Sequence, residues 1–165
     1  MKLYTLKRQQ LISRPLEEAF SFFSRPENLA LITPASLKFR MLTPSPIEMK
    51  EGTVIDYTVQ PFGFSLRWTT FITDFKPPYR FADLQLRGPY AYWHHAHTFS
   101  DTDDGTLMTD EIHYALPLGP LGRLAHTIAV KRQLQGIFDY RKHLLDQFFI
   151  DPARFNELRK ATTSQ

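Results

Sequence analysis

The chain has no cysteine among its 165 residues, which excludes disulfides, zinc–thiolate sites and thiol nucleophiles. It has no run approaching the roughly 18 apolar residues that a membrane-spanning helix needs. Its opening, Met1-Lys2-Leu3-Tyr4-Thr5-Leu6-Lys7-Arg8, is too interrupted by charge for a signal peptide. A cytoplasmic protein with no integral membrane segment is the expectation. Charge of one sign is also scarce: 20 Lys and Arg against 17 Asp and Glu leave a net charge of +3. The densest basic groups, Lys7-Arg8, Lys131-Arg132 and Arg141-Lys142-His143, are short and scattered where a nucleic-acid reader shows a continuous stripe. They read as a solvated helix face, and no nucleic-acid partner is expected. No internal repeat is visible, and the sequence leaves the oligomeric state open.

Aromatic residues are plentiful. Fourteen Phe, seven Tyr and two Trp bury large areas and provide flat walls, which suits a core built around a hollow. The length is that of one ordinary domain. A single domain over residues 1–150 is expected, followed by a tail over 151–165, either a short helix or disordered.

Leu3 to Ile12 alternates as a strand. Ser13 then reads as an N-cap with Pro15 in the first helical turn, and Leu16, Ala19, Phe20 and Phe23 recur at helical spacing. Ser24-Arg25-Pro26-Glu27 reads as a capping box opening a second short helix that Pro34 stops. Period-two segments follow from Leu37, Thr53, Ser65, Tyr79, Tyr90 and Thr106, separated by Pro- and Gly-containing turns. Asp103-Asp104-Gly105 is a hairpin signal. From Leu121 to Phe149, apolar residues including Leu121, Leu124, Ile128, Leu134, Ile137, Phe138, Leu145 and Phe148 recur at helical spacing. Gly136 lies inside this helix, where it costs about 1 kcal/mol relative to Ala. It reads either as a tolerated defect or close contact, or as a place that leaves room for a ligand.

The order strand, two short helices, six strands and long helix resembles the START/Bet v 1-like helix-grip superfamily. The chain further resembles its bacterial SRPBCC members through Pro15-Leu16-Glu17-Glu18-Ala19-Phe20, Pro26-Glu27-Asn28-Leu29, Phe81-Ala82-Asp83, Gly88-Pro89-Tyr90, Trp93 to Phe99 and Met108-Thr109-Asp110-Glu111. The resemblance implies an α+β fold with a curved antiparallel seven-stranded sheet around the long C-terminal helix. Lipid and sterol carriers and polyketide cyclases share that fold, so the resemblance leaves the reaction open.

The segment Tyr90 to Phe99 places Trp93, His95, His97 and Phe99 on one face, and Trp93 and Phe99 suggest that this face looks inward. His95 and His97 at i and i+2 would need a third ligand such as Asp83, Asp110 or Glu111 to hold a metal. The expectation is instead a pair of histidines bonded to carboxylates across the sheet, with no metal. Asp83 and Asp110 lie mid-strand, where Asp is disfavoured. If buried, they need a partner such as His95, His97 or Arg67. Tyr57, Trp68, Phe71, Phe81, Trp93 and Tyr114 are candidate wall residues, and Gly136 a candidate gap. The leading expectation is a binder of a small hydrophobic or amphipathic ligand. The alternatives are a cofactor-independent cyclase or dehydratase using His95, His97, Asp83 and Asp110 as acids and bases, and an interaction scaffold without a ligand.

Overall fold

Alternating residues form the strands. In the computed structural model of the chain, which describes residues 1–151 and 153, the strands are β1 (Tyr4–Ile12), β2 (Arg40–Met41), β3 (Val54–Val59), β4 (Leu66–Lys76), β5 (Arg80–Arg87), β6 (Tyr92–Thr102) and β7 (Gly105–Ala115). They make one antiparallel seven-stranded sheet in the order β1-β7-β6-β5-β4-β3-β2. The first strand closes against the last, and the rest follow as a meander of hairpins. The tightest hairpin joins β6 to β7, pairing Thr102 with Gly105 across Asp103-Asp104. There Gly105 takes φ +127, and a Cβ would collide with the carbonyl oxygen of Ile12.

Helix α1 (Leu16–Phe23) follows β1 and buries Leu16, Ala19, Phe20, Phe22 and Phe23. Its N-cap is Pro15, with no capping side chain, so Ser13 does not cap it. The next segment, Pro26–Ala30, is a 3-10 turn rather than a second α-helix. Ser24 ends α1, and Glu27 accepts a hydrogen bond from the backbone N–H of Ile47 at 2.9 Å. The Ser-x-x-Glu pattern is therefore not a capping box here: its carboxylate anchors a distant loop.

The C-terminal helical run consists of α2 (Gly119–Ala125), a π turn (His126–Val130) and α3 (Lys131–Ile150). A π turn adds one residue to the winding and rotates the face that follows by about 100°. The apolar positions before it consequently fall off the stripe of α3. Leu121, Leu124 and Ile128, expected to face the core, are exposed, whereas Leu134, Phe138, Leu145 and Phe148 are buried.

Among the described residues, two hydrophobic clusters result. One gathers α1 with Phe81, Phe99, Met108 and the end of α3. The other gathers Trp93, Ile112 and Tyr114 with Leu134 and Phe138. The sheet thus curls around α3 as a helix-grip fold. Among the described residues, no helix is long and apolar enough to cross a membrane. The expected tail lies outside the described residues, apart from Asp151 and Ala153.

Gly136 is on the exposed side of α3, and a Cβ there meets nothing within 4 Å. It makes no close contact and leaves no room for a ligand, because it faces away from the sheet. Gly136→Ala is expected to stabilise the protein by about 0.5–1 kcal/mol, through helix propensity and reduced unfolded-state freedom. Denaturant melts check this: an unchanged midpoint would mean that α3 is strained here.

Candidate functional site

Between the sheet and α3 lies a cavity of about 530 Å³, within the range of small-molecule sites. Its lining draws on both clusters, with Phe22, Phe23 and Phe81 from one and Trp93, Leu134 and Phe138 from the other. Tyr57 and Trp68 continue the wall with stacked rings 6.1 Å apart. Phe62 and Phe64 also line the cavity while 58% and 74% exposed, which places them at its rim.

Strand register brings the polar residues to one spot in this apolar space. Asp83 of β5 pairs with His95 of β6, and His97 pairs with Asp110 of β7. His95 Nε2 lies 3.0 Å from Asp110 Oδ1 in a hydrogen bond. An ionised carboxylate only accepts, so Nε2 carries the hydrogen. His97 Nδ1 lies 2.6 Å from the same oxygen, but without the alignment of a hydrogen bond. On the other side, His95 Nδ1 is 3.9 Å from Asp83 Oδ2, too far for a hydrogen bond. A ligand hydroxyl there can donate to either His95 Nδ1 or the Asp83 carboxylate.

Burial sets the charge states. It lowers the His95 pKa, as does His97, against the opposing pull of Asp110, so His95 is a neutral imidazole with a lone pair on Nδ1. Burial pushes Asp83 up from 3.8 to about 6, opposed by His95 and Arg141. For Asp110, burial alone would raise the pKa, but neighbouring His97 and the hydrogen bond from His95 outweigh it and hold the carboxyl well below the usual range. One carboxylate is firmly ionised, while the other sits near neutrality, where proton exchange is easiest.

Asp83, His95 and His97 each offer a ligand atom, all within 4.8 Å of one another. Asp110 behind them resembles the outer carboxylate that orients metal-binding imidazoles. These three residues could hold a divalent ion, although the guanidinium of Arg141 on the same cavity wall opposes one electrostatically.

Of the residues expected from the sequence, Tyr57, Trp68, Phe81, Asp83, Trp93, His95 and His97 line the cavity. Asp110 stands behind the histidines rather than in the lining. Three expected residues are elsewhere. Phe71 faces outward, because Leu66, Trp68, Thr70 and Ile72 take the inner side of β4 and successive strand residues alternate. Tyr114 points inward but outside this lining, with its hydroxyl 2.9 Å from His126 Nε2. Gly136 is on the solvent side of α3. Arg67, considered as a carboxylate partner, pairs with Asp56 at 2.8 Å.

Arg141 was missed. Read as part of a solvated basic cluster, it is 8% exposed and lines the cavity. The signal was its place three residues after Phe138 and four before Leu145, on the buried stripe of α3.

The comparisons agree with this architecture. The solved structure of TTHA0849 from Thermus thermophilus superposes with a TM-score of 0.70 at 15% identity, covering 89% of this chain and 97% of that one. The di-domain ARO/CYC StfQ from the steffimycin biosynthetic pathway gives 0.68 at 13% identity, over 92% of this chain and 52% of that one. Ara h 8.0201 gives 0.59 at 14% identity, over 88% and 99%. At these identities the likeness concerns the fold alone. The sequence matches no curated protein. The profile of one family does match, over residues 12–138, and the chain belongs to it: polyketide cyclase / dehydrase and lipid transport.

Proposed function

We propose that the protein binds a small hydrophobic or amphipathic molecule, such as a lipid, isoprenoid or aromatic metabolite, in the cavity between sheet and α3. The observation that carries this reading is the cavity itself, whose largely aromatic and aliphatic walls also bear a polar group of Asp83, His95, His97 and Arg141. Apolar burial supplies affinity at about 25 cal/mol per Å², and the polar group fixes one end of the ligand. A scaffold without a ligand would more economically fill this space with side chains, since interiors are close-packed.

Native mass spectrometry of freshly purified protein, followed by solvent extraction, tests the reading. A reproducible adduct that leaves on denaturation is expected. A bare mass in every preparation, with no apolar compound retained on addition, would count against it.

A second reading is a cofactor-independent cyclase or dehydratase. What favours it is the neutral imidazole of His95, with Nδ1 directed toward an Asp83 whose pKa lies near 6. Together they supply a base and, near pH 6, a part-protonated acid. On this reading, His95→Ala leaves the extracted ligand bound but stops its conversion.

A further inference from the structure

The proposed ligand site contains a buried charge that makes no ion pair. Arg141 is 8% exposed, and its Nε is buried without a hydrogen-bond acceptor. Its guanidinium lies over the Phe138 ring, 4.9 Å from the centroid, and lines the cavity. Asp110 and Asp83 attract it electrostatically, but neither reaches ion-pair distance, and the groups close to both carboxylates are histidines. Among the described residues, none forms an ion pair with Arg141.

An isolated buried cation is costly, and arginine does not relieve the cost by losing its proton. Arginine's planar fork matches a carboxylate through two parallel hydrogen bonds. Building on the reading of the cavity as a ligand site, we infer that it takes an apolar molecule ending in a carboxylate. That carboxylate pairs with the Arg141 guanidinium, while the hydrocarbon or aromatic body lies against Tyr57, Trp68 and Trp93. A monoanion balances the single guanidinium. A doubly charged head would leave one negative charge uncompensated beside Asp110.

The test uses cis-parinaric acid, its methyl ester and the corresponding alcohol as fluorescent probes, titrated into wild type, Arg141→Met and Arg141→Lys. Wild type is expected to bind the acid about tenfold more tightly than the ester or alcohol, the scale of a charge-assisted hydrogen bond. Arg141→Met is expected to bind all three alike, and Arg141→Lys to keep part of the preference. Without ligand, Arg141→Met is expected to melt a few degrees higher, because it retains the apolar stem and removes the unpaired charge.

Equal binding of acid and alcohol by wild type overturns the carboxylate assignment and leaves the ligand-binding reading standing. Binding of none of the three overturns both. A lower melting temperature for ligand-free Arg141→Met would show that the guanidinium is already compensated, and would also overturn the assignment. Should Arg141→Met fail to fold, the ratio of acid to alcohol affinity in wild type decides the matter alone.

Discussion

Asp110→Ala is expected to destabilise the protein by about 3 kcal/mol at neutral pH, lowering the melting temperature by about 9 °C for a chain of this size. Asp110 is 7% exposed and sits opposite His97 in the register. Its Oδ1 accepts from His95 Nε2 and lies against His97 Nδ1. Alanine leaves His95 Nε2 buried without its acceptor, at about 1–3 kcal/mol, and removes the carboxylate that lies against His97 Nδ1. Asp110→Asn keeps an oxygen in place and gives up only the charge, so it is expected to lose much less.

The pH dependence of this loss has a definite sign. The folded-state pKa of Asp110 is depressed below 3.8. Its contribution is therefore full above that value and fades as pH falls toward the folded-state pKa. The gap between wild type and Asp110→Ala should be complete at neutral pH and narrow in strong acid. Thermal melts across pH check this. Equal melting temperatures at neutral pH would show that the carboxylate does not support the two histidines.

The sequence makes the strands of this site more legible than its helix. On β6, Trp93 and Phe99 bracket His95 and His97 at even spacing, so one inward-facing parity fixes all four. Asp83 and Asp110 stand out because aspartate is rare in mid-strand. What the sequence cannot give is the pairing offset that sets Asp83 beside His95 and Asp110 beside His97, since register depends on turn geometry and the whole buried face. Trp68 and Phe71, proposed together as wall residues, could not both face inward on a regular strand, being three residues apart. Parity alone contradicts that pair, and the inner face went to Trp68.

The helix is less legible for a different reason. Leu121, Leu124 and Ile128 look like the beginning of the stripe that Leu134, Phe138, Leu145 and Phe148 continue. The π turn at His126–Val130 breaks the phase between them, and nothing local in the sequence announces it. Arg141 was legible by contrast, because its position on the stripe follows from simple spacing. Its charge and its neighbours Lys142 and His143 point instead to a solvent-facing position. A charge on a buried stripe is the kind of local conflict expected at a functional site rather than in a core.

Asp83→Asn is expected to gain about 3 kcal/mol of stability above pH 7 and almost nothing below pH 4. The folded-state pKa of Asp83 is raised from 3.8 to about 6, first by burial and also by Asp110, against the opposing attraction of His95 and Arg141. A shift of about two units is worth about 3 kcal/mol at 1.36 kcal/mol per unit. For a raised pKa, the favourable contribution is complete below the unfolded value and is lost as pH rises through the folded value. Wild type therefore carries an ionised, desolvated carboxylate at pH 8 that asparagine lacks. The two proteins should melt together near pH 4 and separate by about 9 °C at pH 8; parallel curves would sink the assignment. If they diverge, Asp83 is held in place against the stability of the fold at neutral pH. Packing gives no reason to keep a carboxylate there, since asparagine has nearly the same shape. A ligand end or a transferred proton gives one, because either uses a group that changes charge near pH 6 on the wall of an apolar cavity.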